Sequence, residues 1–248
     1  MKPIKILFIA TSNNTIGETN IQTGVWLESL AAPYYIFKDA GIDISIASPY
    51  GGCIPFDPQS RSIIVATQKT KRFLQDKQAM DLVSSALILN TIKNEEFDAV
   101  FLPGGHGSLW DLTNNASLTH LLGSFIARYK PVALVCQGVA SLLTLVNDSG
   151  QLWITGKRIT GFSNSEERAT GLMASIPFLL EDKLISAGSL YSKSVDYTSY
   201  VVIDGHVITG QNPASAEQAA KKMLSLLQTN KYSSPVYPQS SLNKSSSL

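Results

Sequence analysis

The feature that most constrains this chain is a recurring pair of patterns: short, almost wholly apolar runs, each followed by a longer stretch of helical period. Ile4 to Ala10 (IKILFIA), Asp98 to Pro103 (DAVFLP) and Pro131 to Cys136 (PVALVC) are such runs. A strand that is apolar on both sides of its pleat must be covered on both faces, so these runs predict a mostly parallel sheet with helices on either side. A helix is expected from Gly24 to Ala40, closed by Gly41, and then a strand from Ile42 to Ser48. Further strands are expected over Lys157 to Gly161, Leu184 to Ala187 and Tyr200 to Ile208. A last helix is entered through Asn212 and Pro213, a cap residue followed by a residue suited to the first helical position. The fold class is a doubly wound α/β sandwich of the flavodoxin-like kind. One domain spans residues 1–228. Residues 229–248 hold seven serines, two prolines and no periodic apolar face, which describes a flexible tail.

Composition narrows the function. The 248 residues carry 20 Lys and Arg against 19 Asp and Glu, a net charge of +1, so no electrostatic nucleic-acid footprint is expected. The one basic cluster, Lys69 to Lys77, contains Asp76 and reads as a solvated helix start. No apolar run approaches the roughly 20 residues of a spanning helix, and Ile4 to Ala10 lacks a cleavage site, so neither membrane nor secretion is expected and the chain is placed in the cytoplasm. With only Cys53 and Cys136 there is no disulfide framework, and both are expected as thiols.

In an open parallel sheet, ligands gather at the carboxyl ends of the strands. Three features there carry chemistry. Gly104, Gly105 and Gly107, around His106, form a strand exit whose backbone can approach a ligand closely, or merely a tight turn. Cys136-Gln137-Gly138 follows a strand and precedes Val139, Leu142, Leu143 and Val146 at helical spacing, the pattern of a nucleophile elbow. A cysteine at a helix N-terminus favours the thiolate. Spacing alone leaves a nucleophile and a small buried residue both open. Glu28, on the first long helix, has Gly24, Ala31, Ala32 and Tyr35 one turn away, so it faces either water or a crevice where burial would raise its pKa.

Several longer motifs occur in order: Ser48-Pro49-Tyr50-Gly51-Gly52, GGHGSLWDL from Gly104 to Leu112, GKRITGFSNSEE from Gly156 to Glu167, and TGQNPASA from Thr209 to Ala216. Together with the elbow and Glu28 they resemble the ThiJ/PfpI superfamily, whose fold is that of class I glutamine amidotransferases, over about residues 3 to 228. The branch most similar is the heat-shock-induced one containing glutathione-independent glyoxalase (glyoxalase III). The resemblance implies that Cys136 is the nucleophile, that Glu28 hydrogen-bonds its sulfur, and that the N–H groups of Gly105 and Gln137 form an oxyanion hole. It implies a homodimer and no cofactor. In that branch the residue after the cysteine is a histidine oriented by an acid. Here Glu167 holds the acidic position, but Gln137 replaces the histidine, and an amide cannot serve as acid or base near neutral pH.

The expected function is conversion of small 2-oxoaldehydes such as methylglyoxal to the hydroxy acid, a lyase of the hydro-lyase type weakened by Gln137. The alternative is a stress-responsive chaperone or cysteine-oxidation sensor, and a peptidase ranks third. Glutaminase chemistry is disfavoured because no His-x-Glu follows the elbow. His120 falls on a helix, His206 in a strand or hairpin, and His106 at the mouth of the site, where it transfers protons or shapes the pocket. No zinc-ligand spacing is present. Cys53 is incidental.

Overall fold

The computed structural model describes residues 3–232. Seven of its strands form one sheet in the order β3-β2-β1-β4-β5-β9-β8. These are β1 (Lys5–Ile9), β2 (Asp43–Ser48), β3 (Leu87–Ile88), β4 (Ala99–Leu102), β5 (Val132–Val135), β8 (Val201–Asp204) and β9 (Val207–Gly210). All neighbours run parallel except β8 and β9, which form a hairpin.

The apolar runs explain this arrangement through the period-2 alternation of a strand. Ile6 and Phe8 of β1, Ala99 and Phe101 of β4, and Ala133 and Val135 of β5 enter one core; Leu7, Ile9, Val100, Leu102, Val132 and Leu134 enter the other. The first core is covered by α1 (Leu27–Lys38), α2 (Gln68–Gln75), α3 (Lys77–Ser84) and α8 (Ala216–Tyr232). The second is covered by α4 (Ser108–Asp111), α5 (Ala116–Ala127) and, after the short α6 (Asn164–Thr170), by α7 (Leu180–Ser186). In α8, Ala216, Ala219, Ala220, Met223 and Leu227 are all buried, and the small residues let it lie close against α1. Its entry is the expected one: the Asn212 side chain accepts from Ser215 N at 3.2 Å, across a 3₁₀ turn at Pro213–Ser215.

Two expectations, the strand at Leu184 and the helix boundary at 228, need correction, and two expected strands take their places. Leu184 to Ala187 is not a strand but the end of α7, where Leu180 and Leu184 are buried at a spacing of four while Ile185 is 52% exposed; a four-residue apolar run cannot distinguish the two periods. The strand near Lys157 is β6 (Arg158–Ile159), which pairs in parallel with β7 (Leu190–Tyr191) outside the main sheet. Tyr200 to Ile208 divides into the β8–β9 hairpin, with His206 at its turn. Helix α8 runs through Tyr232, four residues past the expected boundary at 228; residues 233–248 lie outside the described region. Among the described residues, no helix is long and apolar enough to cross a membrane, and no group of three His, Cys, Asp or Glu is placed to hold a metal ion.

Candidate active site

The carboxyl ends of β4 and β5 bring the glycine loop and Cys136 together. Cys136 directly follows β5 with φ of +55°, a left-handed conformation that costs a non-glycine residue of order 1–3 kcal/mol and is retained where function requires it. This is the elbow. The segment behind it is a 3₁₀ helix, Cys136–Leu142, rather than the longer helix expected from the apolar spacing, and Val146 is 52% exposed. Gly104 packs directly on the cysteine: a Cβ there would lie 2.3 Å from Cys136 Cβ. Gly105 adopts φ of +129°, and a Cβ on it would strike Gly24 O at 2.1 Å. Both positions exclude side chains, which lets the loop backbone reach the sulfur.

Cys136 is 2% exposed. Burial pushes its thiol well above the ordinary value, and Glu166 and Glu167 push the same way; the backbone N–H groups of Gln137 and Gly105 hydrogen-bond the sulfur and oppose them without prevailing. Desolvation thus works against the thiolate that the elbow's position is expected to favour.

The thiol donates to Gln137 Oε1, with Sγ and Oε1 2.6 Å apart. Gly105 N also donates to that oxygen, at 3.4 Å. Two donors on one side fix the amide, so Gln137 Nε2 faces Glu167 Oε2 at 3.5 Å and His106 Nε2 at 3.3 Å. His106 Nε2 lies 2.8 Å from Glu167 Oε1, which also accepts from Thr170 Oγ1 at 3.0 Å. Four residues from three separate loops thus form one buried network, with Gln137 bridging the thiol and the His106–Glu167 pair. Sequence reasoning named every member and missed the pairing of His106 with Glu167, since they lie 61 positions apart.

Glu167 is placed by a Ser163–Glu166 capping box that starts α6. The neighbouring Glu166 is fully buried, accepting from Ser163 N at 3.0 Å, Asn212 Nδ2 at 2.8 Å and Tyr197 N at 2.7 Å. Tyr197 is a residue that no sequence signal marked. It is held at φ of +58°, is 51% exposed, and donates its hydroxyl to Glu166 O at 3.1 Å. Its ring packs edge-on to Phe162, which in turn packs on His106, so it forms the outer wall of the network.

Glu28 occupies the first turn of α1, anchored where Trp26 N donates to Gly104 O at 3.1 Å. Its carboxylate accepts from Thr67 Oγ1 at 2.6 Å. The expected hydrogen bond to sulfur is not formed: among the described residues the thiol's side-chain partner is Gln137, and the carboxylate's is Thr67. Glu28 itself is half-buried. Burial raises its pKa, with Glu217 adding to the rise, while the Thr67 hydrogen bond and Lys69 oppose it. Thr67 was missed, although a Thr67–Thr70 capping box at the start of α2 is readable as a helix start. His120, on α5, and His206, at its hairpin turn, are remote from this network.

The sequence pattern described as the DJ-1/PfpI family matches residues 21–226. A Schizosaccharomyces pombe protein named glutathione-independent glyoxalase hsp3101 is 26% identical over 240 residues, covering 91% of this chain and 96% of its own. A Candida albicans protein named Glyoxalase 3 is 29% identical over 245 residues, covering 92% and 100%. The solved structure of the Francisella tularensis Rapid Encystment Protein 24 kDa superposes with a TM-score of 0.86 at 38% identity, covering 90% of this chain and 99% of that one.

Proposed function

The chain belongs to the DJ-1/PfpI family, with its class I glutamine amidotransferase-like α/β fold, and from that premise we propose that it converts small 2-oxoaldehydes, methylglyoxal to lactate, without glutathione. The observation that carries the reading is Cys136 held at φ of +55° in a strained elbow and packed directly against the Gly104–Gly105 loop, a nucleophile seated beside backbone N–H groups that can hold the oxyanion it would create. Similarity to proteins named glutathione-independent glyoxalase and Glyoxalase 3 supports it.

In this mechanism the sulfur adds to the aldehyde carbon, the thiol proton passes to the aldehyde oxygen to give the hemithioacetal, and the Gly105 and Gln137 N–H groups hold that oxygen as its charge develops. A proton then moves from the former aldehyde carbon to the neighbouring carbon through an enediol. The aldehyde carbon is thereby oxidised to a thioester as the ketone carbon is reduced to the carbinol, so no external oxidant enters. Water cleaves the thioester, releasing lactate and restoring the thiol. Glu28, with its raised pKa, is the base, since the Gln137 amide cannot take a proton. The His106–Glu167 pair holds the amide that positions the sulfur. The reading includes a cytoplasmic homodimer acting on a small carbonyl compound, without nucleic-acid or membrane partners.

An oxidation sensor would draw on the same buried Cys136 thiol, and modification of that sulfur by mild peroxide in a protein that forms no lactate would favour that reading. The test is loss of methylglyoxal with formation of lactate in the absence of glutathione, by the parent and by Cys136→Ser. Turnover confined to the parent supports the enzyme; a parent that forms no lactate overturns it.

A further inference from the structure

A second cavity, of about 630 Å³, opens at the carboxyl edge of the sheet away from Cys136. It is walled by the loops that leave β1, β2 and β3 and by α4, which follows β4. The strand order reverses between β1 and β4: from β1 the sheet builds through β2 to β3 on one side and through β4 to β5 on the other. That reversal is the crevice where open α/β sheets characteristically bind ligands. The Cys136 network sits one strand further along, so this cavity is not used by the reaction described above.

Its chemistry is unusual in being polar yet uncharged at the rim. Asn14, Asn90 and Asn114 line it, are exposed, and have no side-chain hydrogen-bond partner among the described residues. Trp110, half-buried, and Tyr50, 79% exposed, supply apolar ring surface. The lining contains no Lys, Arg or His. The one carboxylate, Asp111, is already occupied: it accepts from Thr11 Oγ1 at 2.7 Å, Ser12 N at 2.7 Å and Asn13 N at 3.1 Å, which fixes the loop after β1 to α4.

A free primary amide offers two donors and one acceptor and so complements a hydroxyl group, which both donates and accepts. A phosphate or carboxylate ligand would be expected to meet a cation, and none lines the wall. A ligand bearing several neutral hydroxyls on one side and a C–H face on the other would use both the amides and the aromatic rings. The volume lies within the roughly 300–1,000 Å³ of small-molecule sites. We propose that this cavity is a binding site for a small neutral saccharide or polyol, independent of the Cys136 reaction.

The test uses the full-length protein, ¹⁵N-labelled, titrated with glucose, maltose, trehalose and myo-inositol. Saturable shifts are expected in the Trp110 indole N–H and the side-chain amides of Asn14, Asn90 and Asn114 with at least one of the four. The double variant N90A/N114A removes only exposed, unpartnered amides, so it is expected to fold as the parent does and to keep its methylglyoxal turnover. Its affinity for the sugar is expected to fall about tenfold or more, as the loss of two modest hydrogen bonds implies. Three results would overturn the assignment: no saturable shift with any of the four compounds, unchanged affinity in N90A/N114A, or tighter binding of glucose 6-phosphate than of glucose. The same shifts produced by raising protein concentration without sugar would also overturn it, by assigning the cavity to a second copy of the chain.

Discussion

Glu28, at the start of α1, and Glu167, in α6, are two carboxylates whose surroundings give them opposite capacities. Glu167 is buried and engaged by His106, Thr170 and Gln137, so its oxygens are committed to holding other groups in place. Glu28 is partly exposed, has one side-chain partner in Thr67, and has a pKa raised by burial. A carboxylate saturated with donors is a brace, whereas one that is desolvated and sparsely bonded is a base. The residue type is the same in both places; neighbours decide the role.

The largest effect is expected from Cys136→Ser, which should reduce methylglyoxal turnover by on the order of 10³-fold or more while leaving circular dichroism unchanged. Glu28→Gln tests the base side of the comparison. It should lower kcat by about 10²–10⁴-fold and abolish the acidic limb of the parent's pH–rate profile. That limb should lie above the ordinary carboxylate range, because the raised pKa means that the basic form is lost at a higher pH as acid is added. A Glu167→Gln variant that removed the same limb would erase the distinction between the two acids.

Gln137→His asks whether the bridge can be made to titrate. It should raise kcat/KM by up to about 10²-fold near neutral pH and add a new limb to the profile. Breaking the brace with His106→Ala should destabilise the fold by about 1–3 kcal/mol in urea unfolding, because Glu167 and Gln137 lose a buried partner.

The smallest effect concerns stability at Glu28. A carboxyl whose folded pKa lies above its unfolded value binds more protons when folded, so stability falls as pH rises from the ordinary carboxylate value through the raised one. Glu28→Gln should therefore raise the melting temperature slightly at pH 7 relative to the parent, and less at pH 4. Calorimetry at the two pH values checks the sign.

Much of the fold was legible because burial on both faces leaves a mark in one dimension. β1, β2, β4 and β5 each fell within an expected run, as did α1 and the Asn212 entry to α8. Leu184 was misread because four apolar residues fit either period, and the pairing of β6 with β7 outside the main sheet left no mark because pairing partners are not local. At the site, Cys136, Gln137, Gly104, Gly105, His106, Glu28 and Glu167 were each named from motifs. Tyr197 and Thr67 were not, since a left-handed backbone at an ordinary tyrosine and a hydroxyl 39 positions from its carboxylate leave no local trace.

What the sequence determined by itself was the central strands β1, β2, β4 and β5, the two-faced core and the inventory of reactive groups, because hydrophobic period and short motifs are properties of neighbouring residues. The ionisation and pairing of those groups were decided by the tertiary structure alone. Burial pushes the Cys136 thiol upward because the fold removes water from it, and its hydrogen bond runs to Gln137 because β4, β5 and α6 deliver the Gly105 N–H, the amide and the His106–Glu167 pair to the same few ångströms. Desolvation and the convergence of distant donors arise only when the chain is folded.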